Sequence, residues 1–355
     1  MGGRGGRGKS ASDVDASRDN PVKTIGPRQD RLPILILLLS SAVVVEVLFG
    51  STHLTIITAL IPEIGFYGGA ALIIRYVARR RILGWLSILI LGVAFAIFEE
   101  FLVVQTSVSP YIFSGLANAM YGRAFGVNLI YFLWATGYES VWAIVLPIYL
   151  TEVIFPNRRK SPWLGRRGLI ATTAIFLLSS LVLWEVWTVD VAPSAVGFYY
   201  SPPVSLVASA FLLIAALSMV ALSIHSKGTQ RRRDKPAPRP LIVGVLCFGA
   251  GLLWFVLVAF AFELFPGVNP IAPLAMGSFL AVAVLISIAR ISSSLGWGDS
   301  HRLAIVFGGI GASMLAGFWA SGITLLIDFV GKAFFNVAAI VLLTYLAWKV
   351  KARAE

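Results

Sequence analysis

Residues 91–105 read LGVAFAIFEEFLVVQ, and this stretch decides the fold because a run so apolar crosses a lipid bilayer as a helix. It belongs to a longer apolar run, 83–107, which reaches the length of about 20 residues that a transmembrane helix needs. Two adjacent carboxylates, Glu99 and Glu100, interrupt it. Carboxylates are costly in hydrocarbon, so a pair within a spanning helix indicates a functional site.

The composition of the chain is that of a membrane protein. Of its 355 residues, 58% are hydrophobic and only 13% are charged, and the mean hydropathy is +0.85. Soluble domains usually carry charge on about a quarter of their residues. The single cysteine, Cys247, excludes an intramolecular disulfide and any metal site built from several cysteines.

Apolar runs of spanning length recur along the chain after a polar, glycine-rich segment. We predict an all-α polytopic transmembrane helical bundle of about ten spans over residues 32–355, and a disordered tail over residues 1–31. The predicted spans are 33–53, 54–74, 83–107, 126–150, 168–190, 203–224, 240–264, 271–290, 303–326 and 333–349.

The basic residues predict how the bundle is oriented. The net charge is +12, and 27 of the 29 lysines and arginines fall on one side of the ten predicted spans. Only Arg123 and Lys332 fall on the other side. The positive-inside rule therefore places both termini in the cytoplasm of a plasma-membrane protein. The same charges predict contact with anionic lipid headgroups at the cytoplasmic face, and they leave no reason to invoke nucleic acid.

Carboxylates are concentrated in the first five spans, residues 33–190. Counted along each span, all of them lie in the outer half of the bilayer or near its midplane, so we expect one outward-facing cavity lined by acidic groups. These residues are Glu46, Glu63, Glu99, Glu100, Glu139 and Glu185.

Helical geometry suggests partners for these carboxylates. Asn128 lies eleven residues before Glu139, and His53 lies seven residues after Glu46, so each pair falls near one helical face. Neighbouring positions such as Glu99 and Glu100 point about 100° apart and cannot share one direction. Like charges this close repel one another, so we expect several of the glutamates to be protonated at rest.

The second span carries helix-interrupting residues around its carboxylate. Pro62, Gly65, Gly68 and Gly69 surround Glu63. They predict a broken or kinked helix, the kind of element from which many transporters build ion and substrate sites. The alternative is a GxxxG packing face formed by Gly65 and Gly69.

Two adjacent glutamates in a span resemble the first motif of the CAAX-processing and bacteriocin-immunity family of intramembrane proteases, and more loosely that of the PrsW-type proteases. In that family an arginine follows four residues after the second glutamate, and later helices supply histidines. This chain has Val104 at that position and no histidine at depth in its later spans. The resemblance therefore assigns no catalytic residue here.

A broader resemblance covers roughly the first half of the chain. Residues 62–81 (PEIGFYGGAALIIRYVARRR), 98–110 (FEEFLVVQTSVSP), 138–156 (YESVWAIVLPIYLTEVIFP) and 163–169 (WLGRRGL) look like a family of uncharacterised prokaryotic polytopic membrane proteins. The count of ten spans also resembles the drug/metabolite transporter superfamily, which is built from two five-span halves.

Three functions are compatible with the carboxylates. The first is a secondary transporter coupled to protons or cations, which moves a small solute or ion, with Glu99, Glu100 and Glu139 binding the ion and Glu63 at the helix break. The second is a membrane-embedded hydrolase or transferase that uses the same glutamates, so enzymatic activity stays open. The third is a structural or accessory subunit. The sequence leaves open whether a proton or a divalent cation binds.

Overall fold

The computed structural model describes most of the chain from Arg31 onward. The predicted tail, apart from Gly2 and Arg31, lies outside the described residues, and so do residues 111–119 of the long connection between the third and fourth spans. The described residues are 31–110, 120–191, 199–224, 233–320 and 322–353, together with Gly2, Pro193, Ser194 and Gly197.

Ten long helices make up most of the described residues. Nine of them are long and apolar enough to cross a bilayer, and the first is shorter. The prediction of an all-α polytopic bundle is thereby confirmed. The helices are α1 (Leu32–Leu48), α2 (Leu54–Arg80), α3 (Trp85–Val103), α4 (Leu129–Ile154), α5 (Arg166–Val191), α6 (Val204–Ser223), α7 (Pro240–Ala259), α8 (Ile271–Ser292), α9 (Asp299–Ala320) and α10 (Leu326–Ala352).

Four short strands occur in the described parts of the connections. Strands β1 (Arg123–Ala124) and β2 (Val127–Asn128) form an antiparallel hairpin before α4. Strands β3 (Arg233–Pro236) and β4 (Ser294–Leu295) pair in parallel beside the start of α9. They tie loops together and contribute no layer to the bundle.

Contacts between the connections define the two ends of the bundle. At one end Arg159 pairs with Asp299, so the loops before α5 and α9 meet there. At the other end the Tyr121 hydroxyl donates to the carbonyl of Val268, so the loops before α4 and α8 meet. Most of the described arginines lie at the first end. We call it the basic face and the other end the opposite face.

The helices differ sharply in burial. Helices α2, α3, α4 and α9 are the most buried, whereas α5, α6 and α8 expose most of their surface. Small residues allow the inner helices to approach closely. A Cβ atom on Gly308 of α9 would lie 2.3 Å from the carbonyl oxygen of Gly244 on α7. The inner helices therefore form the core, and the outer ones face the surroundings.

Helix α2 continues from Leu54 to Arg80 without a break around Glu63, but it has a kink nearer its start, at Ile56, whose backbone angles are not helical (φ −120°, ψ 24°). Its backbone instead widens into a π-helical turn at Ile64–Gly68, directly after Glu63. Gly65 and Gly69 pack against Ser179 and Phe176 of α5, respectively. The contacts thus agree with the packing alternative for these glycines.

Helix α1 ends earlier than its predicted span of 33–53. Gly50 adopts a φ of +100°, a conformation that favours glycine, and the chain turns there. The turn is held by Lys332 of α10, whose ammonium donates to the carbonyls of Leu48 and Phe49 at 2.8 and 2.6 Å. A buried cation thus satisfies carbonyls that the end of a helix leaves without partners.

Candidate functional site

The carboxylates of the first five helices coincide with π-helical turns. Such turns bond each N–H to the carbonyl five residues earlier, and in proteins they occur frequently at functional sites. The turns that contain or directly follow a glutamate are Val43–Leu48 with Glu46, Ile64–Gly68 after Glu63, Glu99–Val103 with Glu99 and Glu100, Glu139–Val145 with Glu139, and Trp184–Val191 with Glu185.

One hydroxyl joins the carboxyl groups of α1 and α2. The Thr52 Oγ1 atom lies 3.1 Å from Glu46 Oε2 and 3.0 Å from both carboxyl oxygens of Glu63. Thr52 is in the turn between the two helices, which brings its hydroxyl between the two carboxyl groups. Both glutamates are half-buried.

A second hydroxyl extends this connection to α3. The Tyr67 hydroxyl donates to Glu99 Oε1 at 2.8 Å, and it also lies near the carboxyl group of Glu46. We call the series Glu63, Thr52, Glu46, Tyr67 and Glu99 the carboxyl–hydroxyl chain. It joins carboxyl groups from three helices through alternating hydroxyls.

Glu139 of α4 lies beside this chain. Its carboxyl interacts electrostatically with those of Glu99, Glu46 and Glu100. Glu139 is 7% exposed and Glu99 is 3% exposed. Among the described residues, Glu139 Oε2 and Glu99 Oε2 have no hydrogen-bond partner. Two buried carboxyl oxygens are therefore available to an incoming proton or ion.

One carboxyl oxygen of Glu100 is bound by the segment that follows α3. Its Oε2 atom accepts hydrogen bonds from the hydroxyl of Thr106, from the Ser107 amide at 2.9 Å and from the Ser107 hydroxyl at 2.7 Å. Glu99 and Glu100 thus contact different groups, as their 100° separation requires. Glu100 stabilises the end of α3, and Glu99 belongs to the carboxyl–hydroxyl chain.

The other predicted site residues lie away from the chain or at its edge. Asn128 caps the start of α4, where its side chain accepts from the Tyr131 amide at 3.0 Å. The His53 Nδ1 atom is 4.0 Å from a carboxylate oxygen of Asp328 on α10. Glu185 is exposed on the outer helix α5. The site therefore draws on the first four helices rather than on five.

Sequence reasoning missed the two hydroxyls that connect the carboxyl groups. Thr52 and Tyr67 are ordinary residues for a loop and an apolar helix, and neither carries a charge that hydropathy would flag. Tyr67 lies four residues after Glu63, one helical turn along, which is the one spacing that could have drawn attention to it.

The site combines carboxyl groups with hydroxyls. Within the described residues, no group of three or more histidine, cysteine, aspartate or glutamate side chains is arranged to hold a metal ion. The carboxyl groups instead alternate with hydroxyls, each of which can donate and accept one hydrogen bond at a time. Such a series can bind protons and pass them along.

Comparisons with protein families, curated proteins and solved structures return no match for this chain. Its function must therefore be inferred from the geometry of the site.

Proposed function

We propose that this protein is a proton-coupled membrane transporter whose protons bind to the carboxyl–hydroxyl chain and to Glu139. The observation that carries the proposal is the position of Thr52 Oγ1 within 3.1 Å of two carboxyl groups. Proton relays in pumps and transporters are commonly built from carboxylates that lie within membrane spans.

Counting hydrogens shows why the position of Thr52 matters. A threonine hydroxyl has one hydrogen to donate, and an ionised carboxylate can only accept. Thr52 can therefore donate to Glu46 or to Glu63, but not to both. The remaining contact is a hydrogen bond only if the other carboxyl group holds a proton. The two contacts can both be hydrogen bonds only if Thr52, Glu46 and Glu63, which we call the Thr52 trio, share at least one carboxyl proton.

The unpartnered oxygens argue against a purely structural role. Leaving a buried polar atom without a hydrogen bond costs about 1–3 kcal/mol, and more for a charged group. Glutamates that only held helices together would have both oxygens satisfied, as a stable contact requires. Glu99 and Glu139 each keep one buried oxygen available.

A hydrolase has less support from the same geometry. Glu99 and Glu100 face different partners and do not act on one common point. The described residues also offer no metal-binding group that would activate water.

The orientation of the bundle in the membrane gives the direction from which protons enter. By the positive-inside rule the basic face lies in the cytoplasm, so the opposite face, with Thr52 and His53, lies outside the cell. Protons reach the chain from that side and leave toward the cytoplasm with, or in exchange for, a solute.

The proposal is tested by infrared spectroscopy of the purified protein at neutral pH. We expect an absorption band from a protonated carboxyl group that shifts in D2O, because the Thr52 trio shares a proton. Glu46→Gln and Glu63→Gln should each remove or shift this band. Glu185→Gln is the matched control, since Glu185 is an exposed glutamate outside the chain.

Transport is tested separately in proteoliposomes that contain a pH-sensitive dye. A panel of amino acids, organic cations and inorganic cations is added in turn, and a coupled solute changes the internal pH. Glu99→Gln and Glu139→Gln should abolish that response. A protein that shows no protonated carboxyl band at neutral pH contradicts the proposal.

A further inference from the structure

A narrow cleft opens at the opposite face between the turn after α1 and the start of α10. It is small, with about 10 Å³ of space for the centre of a water-sized sphere, which is room for about one water molecule. Its polar lining comes from Gly50, Thr52, His53, Asp328 and Lys332. These groups do not belong to the carboxyl–hydroxyl chain, except for Thr52.

Side chains from α10 fix both walls of the cleft. Asp328 accepts from the Thr55 amide at 2.9 Å and from the Thr55 hydroxyl at 3.0 Å, which holds the first turn of α2. Lys332 holds the carbonyls at the end of α1. Both charged residues are buried, at 4% exposure each. The cleft is therefore a built feature of the fold and not a gap between loose loops.

Thr52 is the point where the cleft meets the carboxyl–hydroxyl chain. It lines the cleft and is 5% exposed, so a proton or a water molecule can reach it but a larger solute cannot. Among the carboxyl groups, burial increases from α1 and α2 toward α3 and α4. Glu46 and Glu63, which contact Thr52, are half-buried, whereas Glu99 and Glu139 are buried.

From this arrangement we propose that the cleft, with room for about one water molecule, is the entrance through which protons reach the carboxyl–hydroxyl chain, with Thr52 as the first group to pass them on. The inference rests on the proposed function and adds the route. In the entry step a hydronium ion in the cleft gives a proton to Thr52 Oγ1 and becomes water. The original Thr52 proton passes at the same time to an ionised carboxylate of Glu46 or Glu63.

The charges that face the cleft suit this role. Asp328 and Lys332 carry opposite charges on neighbouring turns of α10, and His53 lies 4.0 Å from the Asp328 carboxylate. The lining therefore has little net charge to repel an incoming proton. It also supplies several polar partners, which a bound water requires.

The route is tested by blocking the cleft chemically. The native Cys247 is replaced by alanine, and His53→Cys is introduced at the cleft lining. The variant is treated with a positively charged methanethiosulfonate, and detergent-solubilised protein is then diluted into D2O. The rate at which the protonated carboxyl band shifts reports how fast bulk protons reach the chain. We expect modification to slow this exchange about tenfold, equivalent to a barrier higher by about 1.4 kcal/mol.

Two further variants make the result decisive. Ile323→Cys also lines the cleft and replaces His53→Cys if that variant does not fold. Phe125→Cys is the control, because Phe125 lies in the hairpin loop before α4 and is 93% exposed. Its modification should leave the exchange rate unchanged.

The outcomes separate the route from the function. If mass spectrometry shows complete modification at the cleft and the exchange rate does not change, the proposed entrance is wrong while the proton-binding function stands. If the unmodified protein has no protonated carboxyl band, the proposed function fails and the route fails with it.

Discussion

At the scale of single residues, the site depends on one hydroxyl in a turn. Thr52 has no charge, yet it determines how Glu46 and Glu63 can be protonated because both carboxyl groups contact its oxygen. If it were absent, the two glutamates would be left half-buried without their common partner. We therefore expect the hydroxyl to contribute to stability and, in the proposed function, to the route of the protons.

Thr52→Val should therefore differ from Thr52→Ser. Valine has nearly the same shape but no hydroxyl, so we expect a loss of about 1–3 kcal/mol of stability and slower carboxyl exchange in D2O. Serine keeps the hydroxyl and should stay within about 0.5 kcal/mol of the native protein. Thermal unfolding and infrared exchange measure the two effects. Equal behaviour of the two variants would show that the hydroxyl is not used.

The residue scale also shows what a sequence can reveal. Glu99 and Glu139 stand out because a carboxylate in an apolar run is rare, and a count along the span gives its depth. Thr52 could not be assigned this way, because its role depends on a turn that begins at Gly50 and on contacts between separate helices. Asn128 caps a helix. Its spacing from Glu139 in the sequence could not show whether it caps the helix or contacts the Glu139 carboxyl group.

At the scale of elements, small residues set the distance between helices. Gly308 on α9 lies where a Cβ atom would come within 2.3 Å of a backbone carbonyl on α7. Backbone atoms cannot move aside as a flexible side chain can. The packing of α7 against α9 thus depends on this position.

Gly308→Ala is expected to destabilise the protein by about 1–3 kcal/mol, the usual cost of overpacking a core. Gly249→Ala on α7 is the matched control, because no atom lies within 4 Å of the position its Cβ atom would take. That change should be neutral or slightly stabilising, since alanine favours a helix more than glycine does. Thermal unfolding of both variants in one detergent gives the comparison. A stable Gly308→Ala protein would mean that the two helices separate without cost.

Predictions for the helices succeeded in number and failed at particular ends. Nine of the ten predicted spans correspond to helices long and apolar enough to cross a bilayer, and the first corresponds to a shorter apolar helix, because long apolar runs mark membrane-spanning helices. The end of α1 could not be foreseen, since it depends on a glycine conformation and on Lys332, nearly three hundred residues away in sequence. The π-helical turns were also not predictable, because no residue pattern is specific to them.

At the scale of the whole molecule, a charged cluster holds the basic face together. Arg75 is 1% exposed and pairs with Glu152 at 3.0 Å, while its guanidinium stacks on Trp163. Arg79 adds a second pair with Glu152 at 2.7 Å. Glu152 lies just past the end of the predicted span 126–150, and it is only 3% exposed. The cluster connects α2, α4 and the loop that leads to α5.

Removing the negative charge from this cluster should be costly. Glu152→Gln leaves Arg75 buried without a counter-charge, and breaking such a pair costs about 3–5 kcal/mol. Glu185→Gln, at an exposed glutamate, should not change stability by more than about 0.5 kcal/mol. The midpoint of thermal unfolding measures both. If the two variants unfold at the same temperature, the cluster does not hold the basic face together.

The short first helix has a consequence for the lipid around it. At about 1.5 Å per residue α1 is roughly 25 Å long, whereas the hydrocarbon core of a bilayer is about 30 Å thick. This hydrophobic mismatch favours local thinning of the membrane beside α1, at a cost that grows with acyl-chain length. Thinning there brings the aqueous phase down to the turn at Gly50, so lipids with shorter tails should suit this protein best.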